Sequence, residues 1–491
     1  MLRTLQLAPG WALLGVGGSL LITITGARLG GGTLSWWFHP KVLSDAVASK
    51  VVFYAGMAAL AVAWLGLGRV ASSRFCKPSQ LSIVAILWCL PLVAGAPLFS
   101  RDVYSYLAQG TIAHLGLNPY HDAPVVLRGL GHAQVLNAVD PFWRTATAPY
   151  GPLFLTVVSG IVSLTGSNLV LGVLVLRVFE LLGLVLLAIF VPRLARGLGA
   201  DPARAVWLAV LSPLVLLQLV APGHNDLLMI GLMVAGVTLA LERRPLLAIA
   251  VCVVAATIKL PAAAAAIFIA VAWVRVQISA PAKVAGAAKA AAAAIAPAAI
   301  VTVITGFGLG WISTALFSTP ARVRLAITPA TDISWTIARL LNDAGLAVSF
   351  TGLESVLRAV AFGASVIVGL ALLLKARRET TARYLGAALV VFALCGPAVW
   401  PWYLSWGFVL LAASAPAQAS RVTVGAVLIA SFLVKPNGIL ALPLDSSPIV
   451  AAAWLLLAAL AWYSWRRRAR IGHVPERSDN LGPTRSAFAE H

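Results

Sequence analysis

The chain has 491 residues, 60% hydrophobic and 11% charged, with a net charge of +20 and a mean hydropathy of +0.93. That composition excludes a water-soluble domain of this length and predicts an all-α polytopic membrane protein. The basic balance does not point to nucleic acid, because Lys and Arg gather in short connectors between apolar runs, such as Arg193, Arg196 and Arg204, or Arg243 and Arg244. In such places they set the orientation of a membrane protein.

Apolar windows near the twenty residues needed to cross the hydrocarbon occur about fourteen times, some of them short. The first follows only Arg3 and lacks a small-residue cleavage site, so it reads as a retained helix and not a signal peptide. The window 81–98 leaves the lipid on the face opposite the arginine-rich connectors, which makes 101–150 an outer loop. An odd number of crossings must separate it from the inner connector 192–204. The short stretch 153–164, opening Y-G-P-L, is therefore expected along the outer surface, while 169–191 crosses. Windows 205–220 and 227–241 flank a turn at 222–226. A short pair, 246–258 and 262–273, is hinged at Lys259, Leu260 and Pro261, and 284–304 leads to a second outer segment, 306–354.

Both termini come out cytoplasmic. Residues 1–470 read as one integral membrane domain, and the polar stretch 471–491 as a disordered cytoplasmic tail. Cys76, Cys89, Cys252 and Cys395 show neither paired nor metal-ligand spacing and read as packing residues.

The chemistry concentrates in the outer segments. S-R-D-V-Y-S-Y-L-A-Q at 100–109 places Asp102 at a membrane exit beside Arg101 and Tyr106, and Tyr120 follows. A carboxylate there can accept a proton, while aromatic rings can cover a sugar face or sit at headgroup level. Arg177 and Glu180 are spaced as an i,i+3 ion pair on one helix. His224, Asn225 and Asp226 form a polar turn with too few ligands for a metal unless Asp102 joins them.

Lys259 stands near the end of a broken helix. An ionisable residue in a span costs about 2.5 to 3.5 kcal/mol at mid-bilayer and tends to face a cavity or partner, here a lipid phosphate. The glycines of G-F-G-L-G-W at 306–311 follow no strand and do not make a dinucleotide site. Arg322 and Arg324, beyond them, carry guanidinium forks that match phosphate oxygens.

In order, S-R-D-V-Y-S-Y-L-A-Q-G, L-N-P-Y, A-P-Y-G-P-L, H-N-D, G-F-G-L-G-W, P-W-Y and K-P-N-G span most of the chain. This set resembles the actinobacterial polyprenol-phosphate-mannose-dependent α-1,6-mannosyltransferases, which extend the backbone of lipomannan and lipoarabinomannan and belong to the C-type glycosyltransferase superfamily. The resemblance implies a bundle of about fourteen transmembrane helices with outer juxtamembrane helices. It implies a polyprenol-phosphate mannose donor, a lipid-anchored mannan acceptor and an inverting transfer at the outer face of the cell membrane.

Asp102 matches the family's catalytic aspartate. Arg101 and Val103 stand where the superfamily often carries a second acidic residue, so no metal ligand or cofactor is assigned and divalent-metal dependence stays open. With Asp102 as base, Lys259, Arg322 and Arg324 are expected at the donor phosphate. Arg101, Tyr106, Tyr120, His224, Asp226, Trp402 and Tyr403 are expected around the substrates. Arabinosyl or glucosyl transfer from a similar donor is the alternative within enzymes. A lipid flippase or transporter fits less well, because the polar groups cluster in the loops and not along the spans.

Overall fold

The computed structural model describes residues 8–30, 36, 45–73, 75–318, 328–396, 399–442 and 446–456. Arg322, Arg324 and the 471–491 tail lie outside the described residues. Among the described residues the regular structure is helical, apart from one isolated antiparallel bridge, Val434 to Leu440.

The principal helices are α1 Ala8–Leu29, α2 Ala46–Ala71, α3 Pro78–Ala94, α4 Asp102–His114, α5 Pro152–Thr165, α6 Leu169–Gly197, α7 Pro202–Ala209 and α8 Asp226–Leu241. They continue as α9 Pro245–Ala256, α10 Ala263–Arg275, α11 Ala280–Thr305, α12 Pro329–Asp343, α13 Phe350–Lys375, α14 Thr381–Cys395, α15 Pro401–Ala412 and α16 Arg421–Phe432. Among the described residues six helical stretches are long and apolar enough to cross a membrane: α1, α2, α6, Pro202–Val220, α11 and α13. Eight shorter apolar helices accompany them. The chain is an all-α polytopic membrane protein.

Helix starts are written in the sequence. Proline opens α3, α5, α7, α9, α12 and α15, where its missing N–H leaves nothing unsatisfied. Asp45, Asn168, Ser279 and Ser420 cap α2, α6, α11 and α16 by accepting backbone N–H bonds.

Burial divides the bundle into an enclosed centre and a lipid-facing shell. The most hydrophobic windows of α11 and α13 are only 6% buried, and residues such as Ile300, Val303, Val360 and Ile367 stand exposed. In water these faces would drive aggregation, but in a bilayer the surrounding solvent is itself apolar.

The centre contains the stretch 202–220 and α8, and α6 packs one face against it while Val178, Leu182 and Val185 on its other face stand exposed. Helices α6 and α8 cross at Gly183 and Gly231: a Cβ on Gly183 would lie 2.2 Å from the Leu227 carbonyl oxygen, and one on Gly231 2.7 Å from that of Gly183. Small residues bring membrane helices this close. The contact fixes where the first turn of α8 sits relative to α6.

Arg177 on α6 corrects the expected i,i+3 pair with Glu180. No ion pair joins the two among the described residues. The buried guanidinium instead donates to the carbonyls of Val93 at 3.0 Å, Gly95 at 2.6 Å, and Ala221. These carbonyls belong to the end of α3 and to the turn before α8, where no helical partner is available to them. Arg177 thereby ties together the two chain segments that carry Asp102 and His224.

Candidate active site

The segment joining α3 to α4 bends sharply. Phe99 has φ of 64°, a left-handed conformation unfavourable for an aromatic residue. It is held by its N–H donating to the Pro436 carbonyl at 2.9 Å and by burial of its ring beside Phe53. The turn of K-P-N-G therefore serves to brace the strained approach to S-R-D. Asp102 then begins α4, its N–H donating to Ser100 Oγ at 3.0 Å, and its side chain is 20% exposed. A carboxylate in the first turn is favoured by the helix dipole, yet burial wins and raises its pKa to about 6, while Lys259 and Ser100 pull it down. Arg101 does not pair with it; the guanidinium donates to the Ala138 carbonyl at 2.6 Å and so fastens the long loop to the start of α4.

The turn at 221–225 is entered from a π-helical segment, Leu216–Val220, and carries His224 and Asn225, both fully buried. His224 Nδ1 lies 2.7 Å from the Gln218 carbonyl oxygen and Nε2 lies 3.7 Å from Asp102 Oδ2. Its imidazole packs at 4.3 Å on Trp402, which stacks on Trp400 at 4.6 Å. Burial lowers the His224 pKa to about 4, so the ring is neutral at pH 7.

The expected hinge is present. Helix α9 ends at Ala256, Lys259 takes an extended conformation, and one turn of 3-10 helix leads into α10. Gly151 permits the next contact, since a Cβ there would lie 2.0 Å from the Thr257 carbonyl oxygen. Its N–H donates to Ile258 at 2.9 Å and that of Leu153 to Thr257 at 3.1 Å, so A-P-Y-G-P-L is bound to the hinge through its backbone.

Lys259 Nζ donates to Asp226 Oδ2 at 2.7 Å and lies 5.1, 5.8 and 5.9 Å from the ring centres of Tyr403, Trp406 and Tyr150. These are cation–π distances. Trp406 Nε1 donates to the other Asp226 oxygen at 2.6 Å. Asp226 is fully buried, whereas the Lys259 side chain keeps 13% exposure.

The structure thus brings Asp102, His224, Asp226, Lys259, Trp402 and Tyr403 into one cluster from four separate segments. Tyr106 and Tyr120 stand behind it. Tyr106 is buried edge-on against Tyr150 and Phe154, and Tyr120 donates through its hydroxyl to the Tyr150 carbonyl at 3.0 Å. G-F-G-L-G-W packs on Tyr120, where Gly310 approaches so closely that a Cβ would lie 2.9 Å from it. Trp406 and Tyr150 were missing from the expected set. Trp406 lies one helical turn after Trp402 on α15, a spacing that could have suggested it. Among the described residues no group of three His, Cys, Asp or Glu side chains is arranged to hold a metal.

A partly exposed carboxyl and an ammonium, both set among aromatic rings at helix ends of a polytopic bundle, are the equipment of a membrane enzyme acting on a substrate with polar and anionic parts. Residues 12–275 match the family model for the α-(1→6)-mannopyranosyltransferase N-terminal domain, and 331–467 match an MptB C-terminal domain. The chain belongs to the α-(1→6)-mannopyranosyltransferase family. It is 33% identical over 455 residues to α-(1→6)-mannopyranosyltransferase A of Mycobacterium tuberculosis, covering 87% of this chain and 85% of that one. It is 28% identical over 503 residues to α-(1→6)-mannopyranosyltransferase B of Corynebacterium glutamicum, covering 94% and 83%. No solved structure matches the chain.

Proposed function

We propose that this mannosyltransferase takes mannose from a polyprenol-phosphate donor and attaches it to the 6-hydroxyl of a lipid-anchored mannan acceptor. Transfer takes place at the outer face of the membrane with inversion of the anomeric centre. The observation that carries this reading is the shared setting of Asp102 and Lys259: a base and a phosphate-binding cation, each partly exposed, in one aromatic-walled site.

Asp102 removes the acceptor proton as the hydroxyl oxygen attacks the anomeric carbon, and the bond to phosphate breaks on the opposite side. Lys259, oriented by Asp226, meets the negative charge that grows on the departing phosphate. Arg322 and Arg324 are proposed to help neutralise that charge. Tyr403, Trp400 and Trp402 supply ring surface for the sugars, with Tyr106 and Tyr120 backing Tyr150. Residues 1–470 act as one membrane domain.

The test is transfer by purified protein in lipid vesicles from labelled polyprenol-phosphate mannose to a short α-1,6-mannoside, followed by linkage analysis. An α-1,6-linked product is expected. Use of a nucleotide-sugar donor alone, or transfer only of arabinose or glucose, would overturn the reading.

A further inference from the structure

The fully buried ring of His224 faces Asp102, and its protonation pattern is fixed by its surroundings. Nδ1 lies 2.7 Å from the Gln218 carbonyl oxygen, which can only accept, so Nδ1 carries the proton. In the neutral ring Nε2 then has a lone pair and no hydrogen. It has no hydrogen-bond partner, and it points at Asp102 Oδ2 from 3.7 Å. An ionised carboxylate also offers only lone pairs, so the two acceptors stay beyond hydrogen-bond distance. With the imidazole neutral, protonation of Asp102 closes that gap.

We propose that His224 is a positioning residue for Asp102: its Nε2 accepts the hydrogen bond of the carboxylic acid that forms when Asp102 removes the acceptor proton. This rests on the reading of Asp102 as the base. In the step, the acceptor O–H bond breaks and an O–H bond forms at Asp102. The acceptor oxygen bonds to the anomeric carbon, and the electron pair of the old C–O bond leaves with the phosphate. The new acid proton turns to Nε2.

The contact is absent before proton transfer and present after it, so it strengthens the base without holding the ground state. Trp402 at 4.3 Å and the π-helical turn that presents the Gln218 carbonyl hold the ring in place. The charges facing Asp102 are Lys259, which opposes its protonation, and Asp226 and Asp140, which favour it. Tyr106, Tyr150 and Tyr403 also face it. Asp226 and Lys259 face His224 with opposite effects.

The experiment compares His224→Asn with His224→Gln in the full chain. The Asn amide nitrogen replaces Nδ1 as donor to Gln218 and leaves nothing at the Nε2 position, whereas the Gln amide puts an acceptor there. His224→Asn is expected to lower kcat about tenfold, with donor KM unchanged, and to move the acid midpoint of Asp102 down by about one pH unit; His224→Gln should recover part of both. The midpoint is read by infrared difference spectroscopy of the carboxylic acid band that Asp102→Asn abolishes, a measurement that needs no substrate.

An unmoved midpoint in His224→Asn would leave His224 as scaffold and overturn the proposal. A moved midpoint in a protein that transfers no mannose would instead overturn the functional reading and keep the Asp102–His224 pair. If the Asn variant does not fold, the wild-type band decides: a carboxylic acid bonded to imidazole absorbs below the free-acid frequency, and a free-acid band sinks the idea.

Discussion

Lys259 Nζ sits 2.7 Å from Asp226 Oδ2, and Trp406 occupies the second oxygen of that carboxylate at 2.6 Å. A lysine at a helix break near lipid could have snorkelled to the headgroups; this one is held inward by a fully buried counter-ion. Removing one partner of a buried pair costs about 3 to 5 kcal/mol, because the other charge is left uncompensated. Lys259→Met is therefore expected to lower the melting temperature sharply, and Lys259→Met with Asp226→Asn to restore much of it. Donor affinity should fall about ten- to a hundredfold in both, the worth of one charge-assisted contact. Titration of polyprenol-phosphate mannose against the stable double variant checks this, and unchanged affinity would take Lys259 out of the phosphate site.

Asp102→Asn keeps the side chain's shape and its place at the start of α4 while deleting the proposed base. Mannosyl transfer should drop by about two orders of magnitude or more, with donor binding nearly unchanged. Single-turnover rates on purified protein measure it. Retention of most of the turnover would pass the role of base to another carboxylate, with Asp226 the nearest candidate in the cluster.

The pH profile separates Asp102 from an ordinary carboxyl. With its pKa raised to about 6, activity should decline as pH falls through about 6, and not near 3.8. Stability runs the other way. A carboxyl whose folded pKa is raised contributes most below its unfolded value and loses that contribution as pH rises through about 6. His224, lowered to about 4, contributes above 6.5 and loses it as pH falls through about 4. Between those limits the two effects oppose each other. Asp102→Asn leaves only the histidine effect, so its melting temperature should fall more steeply than that of the wild type on acidification from pH 7 to pH 4. Parallel melting curves would contradict the assignment.

Much of the architecture was legible because membrane physics writes it locally: apolar windows, prolines at helix starts, and a hinge at Lys259. Asp102 was legible for the same reason, as a carboxylate at a helix start in an otherwise apolar chain. Its neighbours were not. Asp226 and Lys259 are 33 residues apart, and Trp406 is 180 residues from Asp226, so only the packing of α8, the hinge and α15 reveals the triad. Arg177 shows the opposite failure. Its spacing from Glu180 satisfied a local rule, but three unpaired carbonyls at element ends competed for the guanidinium and won. The motif K-P-N-G contributes the carbonyl of Pro436 beneath Phe99.

That clamp gives a stability prediction. Arg177→Met fills similar space but orphans the carbonyls of Val93, Gly95 and Ala221, each worth about 1 to 3 kcal/mol when buried without a donor. Unfolding should be strongly favoured, and Arg177→Lys should rescue little, since an ammonium cannot reproduce the planar fork. Thermal melting of detergent-solubilised variants checks both. Near-wild-type stability of the lysine form would show that charge alone holds the turn.

The remaining prediction concerns sidedness, on which the outer-face reading depends. Gln134 lies exposed in the loop between α4 and α5, and Arg244 lies exposed in the basic connector between α8 and α9. If the arginine-rich connectors face the cytoplasm, Gln134→Cys should react with a membrane-impermeant maleimide in intact cells and Arg244→Cys only after lysis. The background must lack Cys76 and Cys395, which are half-buried and able to react. Labelling of Arg244→Cys alone from outside would invert the topology, place Asp102 and Lys259 on the inner side, and remove the basis for a donor presented at the outer leaflet.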